Sequence, residues 1–168
     1  MDTEQPLAGQ VALVTGAGHG IGAAIARKLA SMGASVVLCG RTQSRLDSTA
    51  KAILAAGGKT EVIPCDVTLL HQLEYAAARV DSTFRRLDIL VNNAGIGGFT
   101  KPLHELPPEE WDRILNTNLR GVYFSVRAFA PLMIRALPDT SSTSRPSPER
   151  TLSPKAQPTR PPSGVSTV

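Results

Sequence analysis

The first chemical expectation comes from four glycines. In Val14-Thr15-Gly16-Ala17-Gly18-His19-Gly20-Ile21-Gly22 they follow an aliphatic run and open an amphipathic stretch. Glycine lets backbone turn tightly and approach an anion with no Cβ in the way. The N-terminus of a helix starting there offers unpaired N–H groups and the positive end of the helix dipole. A glycine-rich turn can also serve packing alone. Here strand, loop, helix and second strand follow in order, which favours a pyrophosphate cradle lined by Gly16, Gly18, His19, Gly20, Ile21 and Gly22.

The elements that must position this loop are legible from the alternation of short aliphatic runs with longer amphipathic ones. Strands are expected at Val11–Val14, Ser35–Leu38, Glu61–Pro64 and Ile89–Val91. Helices are expected at Gly20–Met32, Thr42–Ala56, Leu69–Phe84 and Pro108–Arg135, the first two ending before Gly33 and Gly57-Gly58 and the last opening at Pro107-Pro108. Such alternation specifies an α/β fold: a Rossmann-type, doubly wound parallel sheet, incomplete at about four strands, over residues 1–136.

Three further motifs follow in order: Cys65-Asp66-Val67 after the third strand, Asn92-Asn93-Ala94-Gly95 after the fourth, and Asn116-Thr117-Asn118-Leu119 in the next helix. With the spacing Thr15-Gly16-x-x-x-Gly20-x-Gly22, they make residues 7–136 resemble the short-chain dehydrogenase/reductase family. In look the chain is similar to 3-oxoacyl-acyl-carrier-protein reductases. The resemblance implies hydride transfer between a nicotinamide dinucleotide and a carbonyl or alcohol substrate. It implies that Asp66 accepts from the adenine amino group, with Val67 alongside. The alternative for Asp66 is a helix cap, since Asp66-Val67-Thr68 precedes a helix. Asn92 and Ala94-Gly95 would hold the central strand and let backbone approach the ribose, while the same Asn-Asn-Ala-Gly stabilises the turn, and Asn93, Ala94 and Gly95 are expected to bind the cofactor. Asn118 matches the family's catalytic asparagine, whose backbone, the resemblance implies, kinks the helix to hold a water for the proton relay; its alternative is an ordinary amide on a helix surface.

At the end of the second strand, Val37-Leu38-Cys39-Gly40-Arg41-Thr42 has no carboxylate to bind ribose hydroxyls or repel a 2′-phosphate. Arg41 supplies a planar donor set instead, so NADP(H) is favoured over NAD(H), with a solvated loop charge as the alternative for Arg41. Gly95–Phe99 and Leu103 could form one wall of a substrate cleft.

In the family a Ser, a Tyr and a Lys, the last two as Tyr-x-x-x-Lys, act on the substrate, and this chain has no such pair. Turnover is therefore not expected, and a non-catalytic nucleotide-binding or interaction module is the alternative. Leu137–Val168 holds seven Pro, seven Ser and five Thr with no aromatic residue, a composition expected to be disordered. Codons for this segment, read from each third base, permit Gly-His-Ile-Ile-Asn-Ile-Ser-Ser and later Tyr-Ala-Ala-Ser-Lys-Trp-Gly-Leu-Asn-Gly. In that frame Ser codons straddle Ser144/Arg145 and Arg145/Pro146, a Tyr codon Pro158/Thr159, and a Lys codon Pro162/Ser163. The spacing suits the family, so a one-base slip near Ala136–Pro138 is expected. A docking role for the Ser/Pro-rich tail ranks below that reading.

The net charge of +4 has no basic stripe, which gives no support for nucleic-acid binding. The acidic N-terminus and the lack of a long apolar run imply a cytoplasmic chain without a membrane span. Cys39 and Cys65 read as reduced, buried thiols, and no metal site is expected. With further strands missing, Ile89–Asn92 would become a sheet edge, and the family's usual homotetramer is doubtful.

Overall fold

A computed structural model describes residues 5–98 and 101–137. The Pro/Ser/Thr-rich tail after Leu137, and Phe99, lie outside the described residues. Four parallel strands, β1 (Val11–Thr15), β2 (Ser35–Gly40), β3 (Lys59–Pro64) and β4 (Ile89–Val91), form one sheet in the order β3-β2-β1-β4. β1 pairs with β2 from Val11↔Ser35 to Thr15↔Cys39, and with β4 from Ala12↔Ile89 to Val14↔Val91. The chain reverses its direction of strand addition at β1, and a crevice opens there at the carboxyl ends of β1 and β4.

The near-continuous apolar runs in β1 and β2 reflect burial on both faces. Leu13 and Val37 pack on one side with Leu73 and Val80 of α3 (Leu70–Phe84) and Phe129 of the last helix. Ala12, Val14, Val36 and Leu38 pack on the other with α1 (Gly20–Ser31) and α2 (Gln43–Ala55) through Ala26, Ala30, Leu46 and Ile53. The sheet is therefore doubly wound. Small residues on the inner face of α1 bring that helix close to the strands.

The apolar pattern predicts one helix over Pro108–Arg135, with a kink at Asn118 implied by the resemblance alone, and the structure divides it there. α4 (Pro108–Leu115) passes into a π-helical turn, Asn116–Arg120, before α5 (Gly121–Ala136). Apolar periodicity continues on both sides of the break, so the pattern does not reveal it. Gly121 lies against Val67, where an added Cβ would meet Val67 Cγ2 at 2.9 Å. Leu119, Tyr123, Val126 and Ile134 follow one another on an exposed face of this segment. No helix among the described residues is long and apolar enough to cross a membrane.

β4 is an edge strand held to β1 by more than its ladder. The Val11 N–H donates to Asp88 Oδ2 at 2.8 Å and the Asp88 N–H to the Val11 carbonyl at 2.9 Å, while Arg86 forks onto the same carboxylate. Partial burial of Asp88 raises its pKa. The Arg86 and Val11 hydrogen bonds and the guanidinium charge outweigh that and hold it below the ordinary value of 3.8. A depressed native pKa means that this contribution is complete above about pH 4 and is lost as pH falls through the native value. Asp88→Asn is expected to cost about 1–3 kcal/mol at neutral pH and to flatten the loss of stability below pH 4. Urea unfolding from pH 7 to pH 2 checks both; parallel curves for the two proteins would refute the assignment.

Candidate functional site

The crevice is a cleft of about 300 Å³. Its floor is the glycine loop, whose shape follows from three close contacts. Gly16, at φ +66°, sits where a Cβ would meet Asn93 Nδ2 at 2.9 Å and Ala94 Cα at 3.0 Å. A Cβ on Gly22 would collide with the Gly16 carbonyl oxygen and with Asn93 Nδ2. Gly18 faces α2 instead, with Arg45 Cβ 3.0 Å from where its own Cβ would be. The loop is fixed from β2 by the Ala17 N–H donating to the Cys39 carbonyl, and from α2 by the Thr49 hydroxyl donating to the Ala17 carbonyl.

Beneath the loop, Thr15 ties β1 to β4. Its fully buried hydroxyl donates to the Val91 carbonyl at 3.3 Å and accepts from the N–H groups of Asn93 (3.1 Å) and Ala94 (3.0 Å). The Asn93 amide donates to the carbonyls of Thr15 and Gly16. The strand-holding amide is thus Asn93, whereas Asn92, given that role from the motif, is exposed. Side-chain alternation past Val91 decides between the two.

Of the residues expected from sequence, Gly16, Gly18, His19, Ile21, Gly22, Arg41, Asp66, Val67, Asn93, Ala94 and Gly95 all line this one cleft. Gly20 does not; at φ +55° it makes the turn into α1. His19 precedes α1 and makes no side-chain cap, and no acid lies in the first turn, so the helix start is uncompensated and faces the cleft.

Asp66 Oδ1 accepts from the Thr68 N–H at 2.9 Å and the Thr68 hydroxyl at 2.8 Å, and the Asp66 N–H donates to Gln72 Oε1. The carboxylate thus braces the turn before α3 through one oxygen while standing in the cleft wall. Asn118 lies outside the lining, in the π-turn. Its amide donates to the Ile96 carbonyl and accepts from the Ile96 N–H, both at 2.9 Å, and so fixes the loop after β4.

Sequence reasoning gave no site role to Gly40, Thr42, Arg45, Leu46, Cys65 and Thr117, which also line the cleft, and it placed Ile96 in a substrate wall. Arg45 reads in sequence as a solvated charge on a helix, and only the fold brings it to the cleft. Cys39 and Cys65 are free and buried. Their mutual hydrogen bond, with burial, pushes the Cys39 thiol well above the ordinary thiol range. Tyr75 and Tyr123 are exposed and outside the cleft.

An uncapped helix N-terminus behind a glycine loop, at the strand-order switch of a parallel sheet, defines a nucleotide-binding α/β fold. The sequence model of the short chain dehydrogenase family matches residues 10–140, and the chain belongs to that family of oxidoreductases. A 3beta-hydroxysteroid dehydrogenase of Mediterraneibacter gnavus is 38% identical over 124 residues, 74% of this chain and 45% of that protein. The short-chain reductase protein NovJ of Streptomyces niveus is 43% identical over 111 residues, 66% of this chain and 42% of its own. A metagenomic short-chain oxidoreductase solved in complex with NADP is 50% identical with a TM-score of 0.74, over 77% of this chain and 59% of that one. The chain therefore spans about half the length of the curated relatives it matches.

Thr15→Val keeps the side-chain shape but leaves the Ala94 N–H without its acceptor and the Asn93 N–H with the Val91 carbonyl alone. It is expected to cost roughly 1–3 kcal/mol, the penalty for one orphaned buried donor. The urea midpoint measures this, and a change within the error of the extrapolation would show that the Thr15 knot is not what holds β4.

Proposed function

We propose that this chain is the NADP(H)-binding part of a dehydrogenase or reductase, with residues 1–136 as its nucleotide domain, and that it does not turn over alone. The observation that carries the reading is Arg41. It stands at the end of β2 in the same cleft as the glycine loop, is exposed, and makes no ion pair among the described residues.

The residues present fit a nicotinamide dinucleotide. The first turn of α1 and the Gly16–Gly22 loop would hold the pyrophosphate, Asp66 and Val67 the adenine, Asn93, Ala94 and Gly95 the ribose, and Arg41 a 2′-phosphate. The bound group would supply the hydride chemistry. Asn118, through Ile96, fixes the loop leading out of the cleft; its match to the family's catalytic asparagine makes it the one catalytic position retained here. The similar metagenomic structure was solved with NADP, which supports this choice over NAD.

General acid/base chemistry needs a proton donor within hydrogen-bond reach of the substrate. The chain's two tyrosines, Tyr75 and Tyr123, stand outside the cleft, and each is followed four positions on by an arginine, Arg79 or Arg127. That placement favours, as the second reading, a module that binds nucleotide without chemistry. A one-base slip near Ala136–Pro138 would account for the Ser and Tyr-x-x-x-Lys that the codons permit in another frame, and would make a small carbonyl or alcohol compound the substrate of the full-length form only.

Titration with NADPH and NADH, followed by nicotinamide fluorescence, is expected to show NADPH bound about 10-fold or more tightly, as a charge-assisted pair to a phosphate implies. No oxidation of NADPH by carbonyl compounds is expected. Reading the coding DNA across Arg135–Val168 and expressing the single-base-corrected product should restore turnover. An unbroken frame, with NADPH bound and no turnover, selects the binding module; failure to bind either nucleotide refutes both readings.

A further inference from the structure

We infer that Arg45 is a second specificity-determining residue, which together with Arg41 brackets the 2′-phosphate of NADP(H); this rests on the nucleotide reading above. Arg45 lies in the first turn of α2 and lines the same cleft as Arg41 and Thr42. Its backbone is set by Gly18, since the two approach so closely that a Cβ on Gly18 would stand 3.0 Å from Arg45 Cβ. One glycine of the phosphate loop therefore packs against the residue that carries the second cation.

The electrostatics of this end of the cleft are one-sided. Arg41 and Arg45 make no ion pair among the described residues, whereas Arg79, Arg86 and Arg135 each hold a carboxylate. No acid lies in the first turn of α2, and Asp47, a turn further on, accepts its hydrogen bond from Gln43 at 2.7 Å. Asp66 is the one carboxylate in the lining, and its Oδ1 is taken by Thr68. Thr42 makes no side-chain bond to the helix it precedes, so its hydroxyl is available as a further donor. Two arginines and a threonine that line the same cleft, with neither arginine in an ion pair among the described residues, match a phosphate monoester dianion and offer little to ribose hydroxyls alone.

The test compares NADPH, NADH and adenosine 2′,5′-bisphosphate binding to the full chain and to Arg41→Ala, Arg45→Ala, Arg45→Lys and Lys51→Ala. Lys51 is an exposed residue further along α2 and outside the cleft. Arg45→Ala is expected to weaken NADPH and the bisphosphate about 10-fold and NADH less than about 2-fold. Arg45→Lys should recover part of the loss, Lys51→Ala should change nothing, and thermal midpoints should match the parent. An Arg45→Ala variant that loses NADPH and NADH equally, or loses neither while Arg41→Ala abolishes the preference, overturns the inference and leaves the nucleotide reading standing. A parent chain that binds neither nucleotide, or both equally, overturns the NADP(H) reading and this inference with it.

Discussion

Everything at the cleft depends on one buried hydroxyl. Thr15 ends β1, the strand flanked on both sides, and its oxygen holds three backbone groups of β4 and the turn beyond it. A short edge strand of three residues has few ladder bonds with which to keep its register. The Thr15 knot at one end and the Asp88 bonds to Val11 at the other fix it at both limits. Because Asn93 then reaches back to the Thr15 and Gly16 carbonyls, the loop after β4 and the glycine loop after β1 are built as one unit.

That unity explains why glycine is required at positions whose sequence role looks like anion binding. Gly16 and Gly22 make room for each other and for Asn93, while Gly18 makes room for Arg45. Packing and ligand approach are served by the same missing Cβ atoms, so the two explanations of a glycine-rich turn are not rivals here. Asp66 shows the same economy: one oxygen secures the turn into α3 while the residue remains in the wall of the cleft.

Much of this was legible in the sequence because the strongest local signals coincide with the global fold. All four strands and the first three helices stand where the alternation of apolar runs puts them, to within two residues. The break in the fourth helix was legible only through the family resemblance, which implies a kink at Asn118, since α4 and α5 keep one apolar period across it. Asn92 and Asn93 are chemically identical neighbours, and only the strand's alternation assigns the inward amide. Arg45 was hidden for a different reason: its partner, Gly18, is 27 positions away, and no local pattern links them.

All the residues that form the cleft fall between Gly16 and Thr117. A ribosome emits the chain N-terminus first, and domains fold as their residues emerge. The residues of the cleft thus all emerge before α5, whose Phe129 and Leu132 complete one face of the sheet beneath it. Free nucleotide above its dissociation constant would then stabilise the nascent half by mass action. A ligand of the cleft would act, in effect, as a folding aid to a protein still being made.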